Sequence, residues 1–293
     1  MKKIRLLMGT LALLGTVILS GCKDMDQVND SDKNGNLVIR ITDAPFPVSM
    51  VDSAIVAITK VEIRKLSEGE EIEYPFITIW EGFEEFNLLE LMNGKSEELV
   101  DIQIEAGKYD LIRLYVDEAR LVVKEGDTHH MKVPSGAQTG IKIFMKPPLQ
   151  VAGGLTTDVL LDFDLSRSFV LKGNTKSPAG IKGFNFKPVI RAVNYTTAGT
   201  IEGMVMNSET ALENAYVLLE QVVEEDTFEI TSAYTNDTGY YAMPGIPAGL
   251  YRISATLAEF DTVAFDDLEV IAGNLTVQDF ILTKLDEEEN SEE

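Results

Sequence analysis

Apolar and polar residues alternate with a period of two in many short stretches of the first two thirds of the chain. In the earliest stretch, Leu37, Ile39 and Ile41 fall on one side of an extended backbone, and Arg40 and Thr42 fall on the other. This period is typical of strands with one buried face. Similar stretches recur at residues 55–63, 76–80, 100–104, 111–116, 121–124, 131–133, 141–144, 159–163 and 189–193.

Residues that favour turns separate these stretches, for example at positions 43–45, 93–94, 106–107, 125–127 and 153–154. Many short strands with frequent turns predict an all-β sandwich. One segment, residues 86–92, has a helical spacing instead. Its Leu88, Leu91 and Met92 would share one side of a helical turn and cover the end of the core.

A second β pattern follows residues 194–199 and begins at residues 200–205. Residues 237–239 and 247–249 have the composition of tight turns. Tyr240 and Tyr241 should point to opposite faces of a strand, so only one is expected in the core. We therefore predict a larger N-terminal β-sandwich at residues 37–196 and a smaller β-sandwich at residues 197–284. A flexible tether (22–36) precedes them, and a disordered acidic tail (285–293) follows.

The N-terminus has the features of an export signal. Positive charge at Lys2, Lys3 and Arg5 precedes an uncharged apolar run at residues 6–19, which is short for a membrane-spanning helix. The sequence Leu19-Ser20-Gly21-Cys22 then resembles the lipobox of bacterial lipoproteins.

The lipobox resemblance implies that residues 1–21 are a signal peptide and that Cys22 is acylated with chains such as palmitate. Two or three acyl chains anchor a protein stably, whereas one chain does so marginally. The alternative is an ordinary signal peptide followed by a chance cysteine. As the only cysteine, Cys22 has no partner for a disulfide within the chain.

The residues after Cys22, Lys23-Asp24-Met25-Asp26, partly match the surface-export signal of some Gram-negative lipoproteins. We therefore expect an outer-membrane lipoprotein, at the cell surface rather than on the periplasmic face. Periplasmic retention remains the alternative.

The acidic composition narrows the range of partners. The formal net charge is −23, so the chain is a poor nucleic-acid binder, because phosphate affinity rests on Lys and Arg. The same charge opposes binding to anionic lipid head groups, and the lipid anchor must supply membrane attachment. Hydrophobic residues make up 45% of the chain, which is typical of a globular protein.

One acidic group is a candidate metal site. Asp158, Asp162 and Asp164 occupy alternate positions of one strand, although Leu160 interrupts the series. Three carboxylates on one face repel each other unless they are solvated or bridged by a hard cation such as Ca²⁺. No calcium-loop motif accompanies them. A solvated outer face with Arg167 or Lys172 nearby is the alternative, and we predict no other cofactor.

The residues for common catalytic sites are scarce. His129 and His130 are the only histidines, and neighbours on a strand point apart, which disfavours zinc binding and Ser-His-Asp catalysis. Paired-carboxylate hydrolysis has no distinctive pair to support it. The small polar loop at residues 135–140 lacks the lysine and the spacing of a phosphate-binding loop, so we interpret it as structural, with ligand contact as the alternative. We predict that the chain is not an enzyme.

An aromatic group is a candidate ligand platform. Tyr74 and Trp80 lie near one predicted strand, together with Phe76, Phe83 and Phe86. Aromatic faces stack on sugar rings, but a sandwich core also uses aromatic side chains. Both interpretations stay open at this point.

Six segments of the first predicted sandwich carry motifs in order, at residues 37–45, 61–63, 106–114, 133–141, 160–164 and 187–191. Together they resemble a bacterial lipoprotein family known as domain of unknown function 4382, over about residues 35–194. The resemblance implies a β-sandwich on a secreted or lipid-anchored protein, and it implies no activity.

The second predicted sandwich carries its own motifs, at residues 199–203, 212–217, 235–241 and 246–251. With them, residues 198–284 resemble a carboxypeptidase regulatory-like module, which has a transthyretin-like, carbohydrate-binding-like fold. The resemblance implies an accessory module that spaces, stabilises or binds.

These observations favour a non-enzymatic binding or adhesion module in the cell envelope, with glycans or surface proteins as partners and carbohydrate as the preferred ligand class. One alternative is a structural accessory subunit of a surface or periplasmic assembly, in which exposed strand edges pair with a partner. A polysaccharide hydrolase is the other alternative.

Overall fold

The computed structural model describes residues 33–44, 51–67, 75–133, 136–173, 181–208, 210–224 and 226–285. Within these residues the chain forms strands joined by turns, with helices of only four residues, so the all-β prediction is confirmed. In this part of the chain no helix has the length and apolar character needed to cross a membrane. The predicted signal peptide, Cys22, most of the predicted tether and nearly all of the predicted acidic tail lie outside the described residues.

The first eleven strands form a sandwich, which we call the first sandwich. Three four-residue helices accompany its strands: a 3₁₀ helix (Leu88–Leu91), α1 (Gly136–Thr139) and α2 (Leu165–Ser168). The strands are β1 (Asn34–Ala44), β2 (Val51–Lys65), β3 (Phe76–Asn87), β4 (Glu97–Glu105), β5 (Gly107–Val123), β6 (Thr128–Lys132), β7 (Ile141–Val151), β8 (Thr156–Asp164), β9 (Phe169–Gly173), β10 (Ile181–Phe186) and β11 (Ile190–Asn194).

Two sheets enclose the core of the first sandwich. One has the order β11-β8-β1-β4, in which β1 and β8 are parallel. The other has the order β3-β2-β5-β6, and β7 pairs with the first part of β5. Strands β9 and β10 form a separate hairpin. The apolar residues of the alternating stretches, from Leu37 to Phe186, form one buried cluster between the sheets.

Strand β5 corrects the prediction of two strands at residues 111–116 and 121–124. It is continuous over Gly107–Val123. Ala57 pairs with Glu118 and Ile58 pairs with Val116, so the register skips Asp117. This bulge lets one polar residue interrupt the alternation without ending the strand.

The helical turn predicted at residues 86–92 is confirmed as the 3₁₀ helix, with Leu88 and Leu91 buried. Its backbone is tied to β1, because Thr42 Oγ1 donates to the carbonyls of Leu91 (3.0 Å) and Lys95 (2.7 Å). The turn therefore closes one end of the core, as its apolar spacing indicated.

The remaining strands form the smaller second sandwich, also as predicted. One sheet has the order β15-β14-β17-β18, and the other joins β13, β12 and β16, with β19 and β20 parallel to β12. The strands are β12 (Gly199–Asn207), β13 (Thr210–Ala211), β14 (Tyr216–Val223), β15 (Asp226–Tyr234), β16 (Tyr240–Ile246), β17 (Gly249–Thr256), β18 (Val263–Val270), β19 (Leu275–Val277) and β20 (Phe280–Ile281).

The turn before β16 fixes which of the two adjacent tyrosines enters the second core. Asn236 Oδ1 accepts hydrogen bonds from the backbone amides of Thr238 and Tyr240, both at 3.0 Å. Gly239 has φ = +77°, and a Cβ there would lie 2.7 Å from the Val205 carbonyl oxygen. Tyr241 is fully buried and Tyr240 is half-buried, which confirms that only one of them is a core residue.

Candidate functional site at the junction of the two sandwiches

Strand β8 is buried on both faces. Phe163 belongs to the first core, while Leu160 and Asp162, on the other face, lie under the second sandwich. A Cβ on Gly245 would lie 3.0 Å from Leu160 Cδ2, so the two sandwiches are in close contact there. The prediction of a solvated outer face is therefore wrong for this part of β8, because the second sandwich covers it.

An ion pair of the first sandwich, between half-buried Arg191 and buried Asp162, lies at this junction. Arg191 of β11 lies directly opposite Asp162 of β8, and its Nη2 donates to Asp162 Oδ2 at 2.7 Å. Arg191 Nη1 also donates to the Gly245 carbonyl of the second sandwich at 3.0 Å. Thr231, from β15, donates to the same Asp162 oxygen at 3.5 Å. One arginine and one carboxylate thus connect both sandwiches.

The electrostatics of Asp162 reflect its burial. Burial raises the pKa of Asp162, and the Arg191 guanidinium offsets this rise only in part. A nearby carboxylate, Asp164, raises the pKa of Asp162 further. Loss of Arg191 would therefore leave a charged group in an apolar junction without its counter-ion.

The other two predicted acids have separate arginine partners. Asp164 caps α2, where its Oδ1 accepts from the Arg167 amide at 2.9 Å, and its carboxylate pairs with the Arg167 side chain. Asp158 lies 3.3 Å from Arg40 Nε. These pairings explain how acids at alternate positions of one strand coexist. The described residues contain no group of three or more His, Cys, Asp or Glu side chains placed to hold a metal ion.

Asp43 is a residue of this junction that the sequence analysis treated only as part of a turn. It is 5% exposed, and neither of its carboxylate oxygens has a hydrogen-bond partner of ordinary geometry among the described residues. Burial raises the pKa of Asp43 well above its usual value, the charges of Asp162 and Asp164 raise it further, and the Leu165 amide offsets part of the rise. Its position could have signalled this burial, since Asp43 continues the series of alternate buried residues in β1.

A groove of about 400 Å³ opens beside the junction. Residues from both sandwiches line it, and most of them are apolar or small. Its polar lining side chains are Lys146, Arg191, Asn194 and Thr197, and its apolar lining includes Pro147, Pro148, Pro247 and Ala248.

The predicted aromatic platform is not assembled as one surface. Trp80 is half-buried and packs against the first core, and Phe86 is buried. Arg113 covers Phe76, with its guanidinium carbon 3.6 Å from the ring centre. Phe83 is 65% exposed, and Tyr74 lies outside the described residues.

The histidines and the polar loop have local partners. His129 makes an edge contact with Phe184 at 5.3 Å between ring centres, while His130 contacts Glu118, so the two imidazoles have separate environments. At the end of the loop, Gly140 has φ = +69°, and a Cβ there would lie 2.3 Å from Arg113 Cγ. This close packing favours the structural interpretation of the loop.

Two family models match the chain in the predicted order. Residues 34–188, more than half of the chain, match the family described as Domain of unknown function (DUF4382), and the chain belongs to this family. Residues 200–283 match the Carboxypeptidase regulatory-like domain. No curated protein matches the chain.

Several solved structures of bacterial proteins resemble the chain weakly. The Bacillus anthracis TIE protein is 14% identical over 86% of this chain, which spans only 34% of that protein, with a TM-score of 0.25. The Streptococcal ancillary pilin is 10% identical, with 87% of this chain and 63% of the pilin covered and a TM-score of 0.25. The shaft pilin SpaA from Lactobacillus rhamnosus GG is 10% identical, with coverage of 87% and 99% and the same TM-score. A TM-score this low supports no functional argument.

Proposed function

We propose that this protein is a non-enzymatic structural subunit of the bacterial cell envelope, in which two β-sandwiches act as one rigid piece and hold a protein partner. The observation that carries this proposal is the contact of half-buried Arg191 with both sandwiches. Arg191 binds Asp162 in the first sandwich and the Gly245 carbonyl in the second at the same time.

The buried contact favours a fixed arrangement of the two sandwiches. Removing one partner of a buried ion pair typically costs about 3–5 kcal/mol, because the other charge stays buried without compensation. Separation of the sandwiches would break the bond to Gly245 and expose Leu160. A subunit that must hold a partner at a set distance or angle benefits from such a junction, whereas a simple binding module needs none.

The proposed location rests on the N-terminal sequence. Acylation at Cys22 would fix the subunit to the outer membrane, with display at the cell surface favoured over the periplasmic face. The high negative charge disfavours nucleic acid as a partner. It also opposes binding to anionic membranes, so attachment would depend on the acyl chains at Cys22.

The test uses intact cells that produce the full chain. One sample is treated with a chemical cross-linker, and a second sample is treated with external protease. We expect a discrete cross-linked complex with another envelope protein, cleavage by external protease, and release of the Cys22→Ala variant from the membrane fraction. A chain that stays uncross-linked on cells would contradict the structural role. Protection from protease until the outer membrane is lysed would place the assembly in the periplasm instead.

Carbohydrate binding is a second candidate, and the groove at the junction favours it. Asn194 and Arg191 line this groove beside prolines, and a few polar groups among apolar ones are typical of small-ligand sites. A glycan array probed with residues 23–293 would test it. We expect any glycan that binds to be lost in an Ala248→Trp variant, which fills the groove, and binding that persists in this variant would contradict the assignment.

A further inference from the structure

Strands β9 and β10 form a basic hairpin in an otherwise acidic chain. Between Asp164 and Glu202 the sequence contains no Asp or Glu, although the whole chain has 48 acidic and 25 basic residues. The same stretch contains six Lys or Arg residues, at positions 167, 172, 176, 182, 187 and 191. The net charge of the chain therefore does not describe this segment, which concentrates positive charge.

The fold directs the apolar side chains of this hairpin inward and its lysines outward. The apolar residues pack in or against the first core: Phe169, Leu171, Phe184 and Phe186. The side chains of Lys172 and Lys182 are exposed, and so is Lys187, which follows β10. The core contacts thus fix a short ribbon that presents lysines to solvent.

These lysines are not neutralised within the described part of the chain. Elsewhere in the first sandwich a lysine can have an acidic partner, as Lys60 has in Glu62 at 2.8 Å. Lys172, Lys182 and Lys187 form no ion pair with any described residue.

Two of the lysines lie side by side. Lys172 is paired with Gly183, and the register of the hairpin shifts at Lys182, so Lys182 lies next to Lys172. Like charges placed close together on a strand pair repel each other. An anion that contacts both residues would remove this repulsion.

Strand β6, which lies against the hairpin, adds no negative charge. His129 contacts Phe184, with 5.3 Å between the ring centres. The whole strand, Thr128–Lys132, contains no acid, and Lys132 is exposed at its end. The two neighbours therefore contribute only neutral or basic side chains to this surface.

The base of the hairpin lies at the end of the first sandwich that is far from the tether. Strand β1 starts at Asn34, and its parallel neighbour β8 ends at Asp164, directly before α2 and β9. The Lys187 amide donates to the Ser168 carbonyl at 2.8 Å, so β9 begins and β10 ends at this place. A chain anchored through its N-terminus would present this end away from the membrane.

We propose that the β9–β10 hairpin is a binding surface for an acidic polysaccharide, whose carboxylates pair with Lys172, Lys182 and Lys187. Among the described side chains of the hairpin, Val170 is the only large apolar one that is exposed. Protein interfaces usually have an apolar centre, which this surface lacks. Lysines act as separate point charges, and a linear polyanion can pair with them without such a centre.

The probe for this surface is polygalacturonate, added to residues 23–293 and compared with its methyl ester, which has the same backbone without the charges. We expect the acid polymer to bind and the ester not to bind. Binding should weaken at least about tenfold between about 50 mM and about 500 mM salt, because exposed charges are screened. Hydrogen exchange should slow at the amides of β9 and β10 in the complex.

Two charge-reversal variants localise the contact. Lys172→Glu combined with Lys182→Glu should weaken binding of polygalacturonate at least about tenfold, because it replaces attraction by repulsion. Lys142→Glu combined with Lys146→Glu makes the same change of charge on β7 and should weaken binding less than about threefold. All four lysines are exposed, so both variants should retain the unfolding transition of the parent chain.

Three results would overturn the inference: no binding of polygalacturonate at low salt, equal effects of the two charge reversals, or slowed exchange at other strands instead of β9 and β10. Equal or tighter binding of polyglutamate of similar length would also overturn it, because the surface would then fit an acidic protein.

This inference is independent of the structural role and of the groove at the junction. The Ala248→Trp variant, which fills the groove, should bind polygalacturonate as the parent chain does. A partner cross-linked on cells would support the structural role even if the purified chain failed to bind the polymer.

Discussion

At the scale of single residues, the junction depends on which carboxylates have an arginine partner. Asp162 and Asp164 pair with arginines, but Asp43, which is buried near both of them, has no hydrogen bond of ordinary geometry to its carboxylate. The sequence predicted the acids of β8 and their shared strand. Arg191 could not be assigned to Asp162, because the two residues are 29 positions apart and meet only through strand pairing.

Replacement of Asp43 by asparagine should stabilise the protein at neutral and alkaline pH. The raised pKa of Asp43 means that the folded state binds a proton more tightly than the unfolded state, whose pKa is about 3.9. The free energy of unfolding of the parent chain therefore falls as pH rises from about 4 through the folded-state pKa. Asp43→Asn should remove this loss and gain on the order of 1–3 kcal/mol at pH 8. Urea unfolding at pH 8 and pH 4.5 would measure the gain, which should shrink at the lower pH.

The matched control is Asp127→Asn, because Asp127 is exposed in the turn before β6. This variant should change stability by less than about 0.5 kcal/mol at both pH values. A destabilised Asp43→Asn protein at pH 8 would mean that the Asp43 carboxylate has a partner that stabilises its charge.

At the scale of elements, the alternation of apolar residues predicted most strands of the first sandwich, and the helical spacing predicted the 3₁₀ turn. The errors have local causes. Two predicted strands are one because Asp117 is accommodated as a bulge. Strands β9 and β10 were not predicted; they form a short hairpin that is separate from the two main sheets. Strand β3 extends past Trp80 because Gly82 and three glutamates lie on a free edge, where polar residues are tolerated.

The turn before β16 should be sensitive to a single methyl group. Gly239→Ala would combine an unfavourable positive φ with a contact of 2.7 Å to the Val205 carbonyl. We expect a loss of about 2–3 kcal/mol in the free energy of unfolding. Gly273→Ala is the control, since Gly273 has φ = +70° but no atom within 4 Å of the added group. It should cost only about 1 kcal/mol, and equal losses in the two variants would show that the steric contact is relieved.

At the scale of the whole molecule, the covering of β8 by the second sandwich is the feature that sequence reasoning could not supply. Charged residues at alternating positions of a strand are typical of a solvated face. The same sequence pattern occurs when another domain covers that face, so the sequence does not distinguish the two cases. Residues such as Leu160 and Gly245 acquire their roles only through contact between regions far apart in the chain.

Loss of the Arg191 contact should lower the free energy of unfolding of the protein. Arg191→Met would leave Asp162 buried without its counter-ion and should cost about 3–5 kcal/mol in urea unfolding. The double variant Arg191→Met with Asp162→Leu should recover much of that loss, because no unpaired charge remains.

Arg252→Met, at an exposed ion pair with Asp266, should change stability by less than about 1 kcal/mol. A double variant as unstable as Arg191→Met would show that the contact with Gly245, rather than the buried charge, determines the cost.

The place of β1 has a mechanical consequence. This strand begins at Asn34, close to the proposed lipid attachment, and lies in the interior of its sheet between β4 and β8. A force transmitted from the membrane would therefore enter along the axis of a strand that is hydrogen-bonded on both sides. Its backbone hydrogen bonds would be loaded together in shear, instead of one after another as in peeling from an edge. The order of strands thus places a force-resistant element where the protein would be pulled.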